Sequence, residues 1–509
     1  MASPQDHLAD ALEALKALQD KGVVAIRSQD LVRHHRERLS RAGFLKPVIK
    51  GWYIPSRPEE SGDGETTVWY ASFWDFCAAY LNHRFGDEWS LSPEQSVLLH
   101  AGNRTVPGQL LIRSPKARNK ITNLAHGTSI LEVRAQIAAN DALEEIEGMR
   151  AFKLPHALVS SSARFFRSYP VDARAALAQI RDASELLGIL LEGGHSTIAG
   201  RLAGAFRKIG RDRVVDDILK AMRAAGYTVS ESDPFEDDLA IALPARPRSA
   251  YVNRLYTSWQ SMRGEIIEHF PELPGIPGDI DTYMKAVDDI YVTDAYHSLS
   301  IEGYRVTPEL IERVRSGSWN PDNNDADREQ RDAMAARGYW LAFNEVKSSV
   351  EKILNKENAG EVVADDHGDW YRALFGPSVE VRILKASDLA GYRSDQVYIR
   401  NSMHVPPKRE AVLDCMPFLF EQLRDEEHAG VRSVLGHWVF VYIHPYMDGN
   451  GRMGRFLMNA MLASGGYPWT VIPVERRNDY MQALEQASVN QNIVPFSDFL
   501  GELVSGTRS

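Results

Sequence analysis

His444-Pro445-Tyr446-Met447-Asp448-Gly449-Asn450-Gly451-Arg452-Met453-Gly454-Arg455 is the stretch whose reading decides the rest of the 509 residues. Gly449 and Gly451 carry no side chains, so backbone N–H groups can converge on a ligand there. Phe456, Leu457, Ala460 and Met461 follow at helical spacing, so a helix begins at the loop. Free N–H groups at a helix N-terminus make an anion site, above all for phosphate. Arg452 and Arg455, three residues apart, share a face near that positive end, a repulsion tolerated when an anion lies between them. Asp448 is a hard oxygen ligand, suited to holding Mg²⁺ against phosphates and not in a closed protein cage. His444 supplies a group that takes a proton from an attacking hydroxyl near neutral pH. Together these parts specify nucleotide-dependent phosphoryl or nucleotidyl transfer, in which catalysis is positioning and charge stabilisation.

Gly449-x-Gly451-x-x-Gly454 also matches the dinucleotide-binding fingerprint, with Glu475 at about the expected distance, after the strand-like Thr470-Val471-Ile472. The context speaks against it. The fingerprint should follow a strand, whereas Val431, Leu435, Trp438 and Tyr442 precede it at helical spacing, and too few residues follow Glu475 for further strands.

The stretch resembles the signature of the Fic family, His-Pro-Phe-x-Asp/Glu-Gly-Asn-Gly-Arg-x-x-Arg, with Tyr446 in place of the Phe, an aromatic exchange that preserves packing. The resemblance implies transfer of AMP from ATP to a protein Ser, Thr or Tyr hydroxyl. In that scheme His444 is the base and Asp448 the Mg²⁺ ligand. Gly449, Asn450 and Gly451 form the anion hole, and Arg452 and Arg455 bind the phosphates. Ser298-Leu299-Ser300-Ile301-Glu302-Gly303 resembles the family's inhibitory motif, Ser/Thr-x-x-x-Glu-Gly/Asn. Gly303 terminates a helix and leaves Glu302 in its last turn, able to pair with a signature arginine. The resemblance implies that this carboxylate takes the place of the ATP γ-phosphate at Arg455, in cis or between like subunits. The same six residues also read as a helix C-cap with an ordinary surface Glu. Gly391-Tyr392-Arg393 through Val397-Tyr398-Ile399, then His404-Val405-Pro406-Pro407, resembles the family's β-hairpin flap, so 391–405 is expected to hold a target segment as an added strand. Tyr480, with Arg477, Leu484 and Asn490, is the candidate adenine wall, although apolar helix positions also read as core.

Composition sets the frame. The length suits about three domains, and 44% hydrophobic with 25% charged residues is ordinary for a globular protein. No run of 18 apolar residues occurs and the first residues lack a signal-peptide pattern, so a cytoplasmic protein with no membrane partner is expected, and the resemblance implies a bacterial one. Cys77 and Cys415, the two cysteines, have no metal-ligand spacing and read as buried thiols. The net charge of −11 argues against the whole molecule coating nucleic acid. Between Lys21 and Arg57, however, nine basic residues face two acidic ones.

Ahead of that basic segment Leu8, Leu12, Leu15 and Leu18 give a helix ended by Lys21-Gly22, and within it Ser28 is the N-cap of a second helix through Leu31 and Val32. Arg33 to Arg41 forms a third, and Phe44 to Ile54 a two-stranded ribbon with a basic turn. This order is a winged helix-turn-helix, and it resembles the N-terminal domains of AbiEi-type antitoxins over roughly residues 5 to 60. The resemblance implies DNA as a partner, with Arg33, Arg36, Arg38 and Arg41 in or across the major groove and Lys46 and Lys50 on phosphates. A solvated basic face on a protein-interaction module is the other reading. From 62 to 240, the aromatic-rich helix Trp69 to Phe85, strands at 109–113 and 130–133 and helices at 175–180, 183–191 and 214–222 read as an α+β domain. His34, His35, His100, His126, His156 and His195 form no metal-spaced pair, and Gly193-Gly194-His195-Ser196-Thr197 lacks the Lys and spacing of a phosphate loop.

Leu243-Pro244-Ala245-Arg246-Pro247-Arg248-Ser249 reads as a linker, and beyond it the pattern is helical: 255–270, 280–301, 308–315 and 328–354. The expected organisation is a winged helix over 1–60, an α+β regulatory domain over 61–242 and a linker over 243–250. An all-α Fic fold with its hairpin flap then spans 251–509, with an inhibitory helix near 290–303 and a catalytic core over 385–505. The expected function is an adenylyltransferase autoinhibited by Glu302, with the chain itself among its targets, a DNA-binding N-terminus and a homodimer as a further partner state. The alternatives are a DNA-binding or antitoxin-like regulator that uses the Fic unit as a nucleotide sensor, or a Fic enzyme that transfers UMP or GMP, or removes AMP.

Overall fold

A computed structural model describes residues 4–58, 65–237, 239–243, 248–317 and 331–506. It divides into two compact units, Met1–Thr257 with Tyr398–Val405, and Ser258–Val397 with Pro406–Ser509. The division falls within the helix Ala250–His269. The centre of the expected linker, 244–247, and the first residues of the expected helix 328–354 lie outside the described residues. No described helix is long and apolar enough to cross a membrane.

The first unit begins with the helix Pro4–Gln19, whose Ala11 and Leu15 pack with Ile26, Leu31, Leu39 and Leu45 in a small core. Strand Ile26–Arg27 pairs with Trp52–Pro55, which pairs in turn with Leu45–Ile49, giving a three-stranded antiparallel sheet with helix Arg33–Arg41 between its two outer strands in sequence. The second helix expected from Ser28 through Val32 does not form. The Asp30 carboxylate accepts from the Arg27 N–H at 2.8 Å and pairs with its guanidinium, while the Ser28 N–H donates to the Gly51 carbonyl. These bonds spend the segment's polar groups on a turn against the sheet, and a helix has none left to use. Two helices and three strands therefore stand where three helices and a ribbon were expected.

The rest of this unit is α+β. Helix Thr67–Phe85 buries Trp69, Phe73, Trp74, Phe76 and Cys77 against a four-stranded sheet in which Gln109–Ser114 runs parallel to Ser129–Arg134. A hairpin, Leu143–Ile146 with Met149–Phe152, and six helices between Leu154 and Ala224 complete it. Both cysteines are free and buried.

Tyr398–Val405 belongs to this unit as well. The Asn401 N–H donates to Thr67 Oγ1 at 2.9 Å, Asn401 Oδ1 accepts from the Thr66 N–H at 3.0 Å, and Arg400 pairs with Glu65 at 3.0 Å. The Val106 N–H donates to the Met403 carbonyl, and Val405 joins the core around Trp74. The β-hairpin flap is thus corrected: 391–408 contains neither strand nor helix. Asn401 is left-handed at φ 58°, Pro406 and Pro407 have no N–H to give a ladder, and the backbone groups of Asn401 and Met403 are bonded to unit 1 loops.

The regular structure of the second unit's described residues is all helical, with Ile280–Ile301, Pro308–Arg315, Arg331–Leu354, Ala359–Glu380, Arg409–Asp425, Ala429–Ile443, Asn450–Ala463, Arg477–Asn490 and Val494–Gly506. Helix Ala429–Ile443 is almost wholly buried and packs beside Asn450–Ala463. Arg331–Leu354 and Ala359–Glu380 approach closely at Gly338, where a Cβ would lie 1.9 Å from the Leu374 carbonyl oxygen.

Candidate active site

Pro445 stops the helix Ala429–Ile443, because the residue before a proline is driven out of the helical region. That residue, His444, sits at φ 53°, a left-handed conformation uncommon outside glycine. Arg393 holds it there. Its Nε donates to the His444 carbonyl at 2.9 Å, its N–H donates to the Pro445 carbonyl at 2.8 Å, and its guanidinium also donates to the carbonyls of Asp395 and Pro407. His444 Nδ1 lies 3.1 Å from the Val441 carbonyl, so Nδ1 carries the proton and Nε2 keeps its lone pair. Burial pulls the ring down to about 4, and although some of its surface remains accessible, the imidazole is neutral at pH 7.

Past Pro445 the loop is locked by Asn450. Its Oδ1 accepts from the Tyr446 N–H at 2.9 Å and its Nδ2 donates to the Tyr446 carbonyl at 2.8 Å. Tyr446 stacks on Tyr371 with centroids 3.8 Å apart, so the aromatic at this position is a packing group. Asp448 Oδ1 accepts from the Gly449 N–H at 2.6 Å. Gly449 has φ 83°, and a Cβ there would come 2.6 Å from the Phe375 ring, so glycine is required on both counts. The helix Asn450–Ala463 starts directly after it.

Arg452 and Arg455 project from the first turns of that helix, and both are at least 95% buried. Arg455 donates from Nε to Ser298 Oγ at 2.8 Å, and from Nη2 to the Ser298 carbonyl at 3.0 Å and to Glu302 Oε1 at 2.8 Å. Burial alone would raise the Glu302 carboxyl, but the charges of Arg455 and Arg452 outweigh it and hold the group below its ordinary value. A Cβ on Gly451 would lie 2.2 Å from Glu302 Oε1, so the carboxylate fills the space directly over the glycine loop. Glu302 caps the helix Ile280–Ile301, and Gly303, at φ 87°, turns the chain away. Arg477 donates to the Ile301 carbonyl at 2.9 Å and His297 accepts from the Val474 N–H at 3.1 Å, fixing that helix end.

The sequence-derived candidates thus fall in two groups. His444, Asp448, Gly449, Asn450, Gly451, Arg452, Arg455, Ser298, Glu302 and Gly303 gather at one place. Tyr480 is 1% exposed, and its hydroxyl bonds His437 at 2.7 Å, so it packs as core and offers no open wall to a base. Arg393, Tyr371, Phe375 and Tyr304, which carry no assigned role in the sequence reading, complete the surroundings. Among the N-terminal cations, Arg33 is paired with Glu37, and Arg36 donates to the Ser28 carbonyl and lies over Tyr53. Arg41 and Lys50 are exposed, while Arg38 and Lys46 are half-buried.

The fit for Mg²⁺ follows from the donor set. No group of three or more His, Cys, Asp or Glu that could hold a metal occurs among the described residues. Asp448, with its side chain 61% exposed, is a single hard carboxylate at the loop. One carboxylate suits an ion that arrives with phosphates and keeps most of its ligands from them.

Residues 365–462 match the model of the Fic/DOC family. That segment is similar to Fic domains. The chain is 30% identical over 252 residues to the protein adenylyltransferase Fic of Nematostella vectensis, covering 49% of this chain and 55% of that protein. It is 29% identical over 229 residues to the protein of the same name from Drosophila yakuba, covering 44% and 42%. The chain therefore spans about half the length of the curated relatives it matches. Among solved structures, Fic-1 from C. elegans aligns at a TM-score of 0.37 and 18% identity, covering 67% of this chain and 96% of that one. A Fic domain containing signaling protein from Bacteroides thetaiotaomicron aligns at 0.34 and 18%, covering 50% and 92%.

Proposed function

We propose that the Fic domain transfers AMP from ATP to a protein hydroxyl and that Glu302 holds the reaction off. The observation that carries this reading is the ion pair between Glu302 and Arg455 at 2.8 Å, over a glycine loop at a helix N-terminus. A carboxylate bonded there marks an anion-binding position and occupies it at the same time. The relatives named protein adenylyltransferase support the same chemistry.

In the proposed reaction the target hydroxyl gives its proton to His444 Nε2, which the Nδ1–H bond to Val441 keeps free and directed. The hydroxyl oxygen bonds to the α-phosphorus, the bond from that phosphorus to the bridging oxygen breaks, and pyrophosphate leaves. Arg452 and Arg455, with the N–H groups at the helix start, stabilise the charge on the phosphates. Asp448 would hold Mg²⁺, which supplies further charge neutralisation when bound with the nucleotide. The side chains of Arg393 and Asn450 act on the loop, fixing His444 and Tyr446 before ATP arrives. Transfer of label from ATP labelled at the α-phosphate onto protein tests the reaction, and ATP binding without transfer under any condition would favour a nucleotide sensor.

For the N-terminal unit we infer DNA binding, supported by the exposed Arg41 and Lys50 on a segment rich in cations. Charge reversal at Arg41 should then weaken a mobility shift and flatten its salt dependence, and an unchanged shift would leave the basic face to a protein partner.

A further inference from the structure

Arg452 is 1% exposed, yet its guanidinium makes little use of its donors. Nε has no hydrogen-bond partner among the described residues, and Nη2 has Asp448 at 3.5 Å. A buried charge without hydrogen bonds is costly unless something else is meant to reach it. Two aromatic rings lie against it, Phe375 at 4.9 Å and Tyr304 at 5.1 Å. These covers differ. Phe375 is buried within helix Ala359–Glu380 and backed by the Gly449 turn, where a Cβ would already touch it, so it cannot withdraw. Tyr304 is partly exposed and follows directly on Gly303, tied to the end of the Glu302 helix by its N–H bond to the Leu299 carbonyl at 3.1 Å.

We propose that Tyr304 is a second stopper of the nucleotide site, covering Arg452 as Glu302 neutralises Arg455, so that one turn, residues 302–304, withholds both signature arginines. This rests on the reading of the site as a triphosphate site and deepens it. The ring and the carboxylate lie on either side of the glycine that ends the helix, so a movement there uncovers both cations together. Removing Glu302 alone frees Arg455 but leaves Arg452 covered. The cover needs a ring and not a hydroxyl, because it is the face of Tyr304 that lies against the guanidinium.

The test is equilibrium binding of ATP to the full chain, in a His444→Ala background that prevents turnover, comparing Glu302→Gly with and without Tyr304→Ala. Loss of the ring should tighten ATP about three- to tenfold beyond Glu302→Gly, the scale of a desolvated cation–ring contact. Tyr304→Gln should act in the same direction, while Tyr304→Phe should leave affinity unchanged. Thermal unfolding of each variant keeps a folding defect apart from a binding effect. Equal or weaker affinity in folded Tyr304→Ala and Tyr304→Gln would overturn the proposal and make Tyr304 a support for Arg452. If Glu302→Gly itself bound no nucleotide, the triphosphate reading would fall first and this proposal with it.

Discussion

For ATP to put a phosphate on Arg455, Glu302 must give up a charge-assisted hydrogen bond of 2.8 Å from a guanidinium that is 95% buried. Bonds of that kind contribute about 1.5–3 kcal/mol, or roughly 10- to 150-fold in a binding constant. The Glu302 side chain is 27% exposed, so water screens part of this, and the lower half of the range applies, about 10- to 30-fold. Glu302→Gln keeps the shape and a weaker bond but removes the charge, and should recover part of the gain. Glu302→Gly also removes the group that lies over Gly451, and should recover all of it. Titration calorimetry with ATP on the catalytically silent His444→Ala chain reads both values. Equal ATP affinity in the wild-type and Glu302→Gly forms of that chain would refute the reasoning and return Glu302 to an ordinary helix cap.

Arg393→Ala should lower the transfer rate at least tenfold while leaving ATP affinity within about twofold, because the side chain binds the His444 and Pro407 carbonyls and not the phosphate loop. Steady-state kcat and KM separate the two, and a change confined to KM would contradict it. Acid should destabilise the second, helical unit between about pH 6.5 and 4. His437 is fully buried, and burial pulls it down to about 4, so below pH 6.5 the unfolded chain takes up a proton that the folded chain refuses. The difference is about 3 kcal/mol by pH 4, lost progressively as pH falls, with His444 adding in the same direction. Urea midpoints that stay flat from pH 7 to 4.5 would show that His437 is not held neutral.

What was legible in the sequence was local. The glycines, asparagine and arginines of 449–455 form a loop and helix start by their own geometry, and the six residues ending at Gly303 carry their helix stop with them. Long-range bonds decided what was not legible. Residues 28–31 have a good N-cap and still form a turn, because Asp30 finds Arg27 and Ser28 finds Gly51. Residues 398–405 have the look of a hairpin arm, but Thr66, Thr67 and Val106, about 300 positions away, take its polar groups. Tyr480 shows why helical spacing cannot tell a ligand wall from core, since both face inward. Phe375 and Tyr304 had no motif at all, and only the packing brings them to Arg452.

The central claim is that this loop transfers AMP, with His444 as base and Glu302 as brake. Incubating the full chain with Mg²⁺ and ATP labelled at the α-phosphate tests it in three forms: wild type, Glu302→Gly, and Glu302→Gly with His444→Ala. The account predicts strong protein labelling in Glu302→Gly, weak labelling in wild type and none in the double variant. Labelling that persists in the double variant, or that is absent from Glu302→Gly although ATP binds, would contradict it.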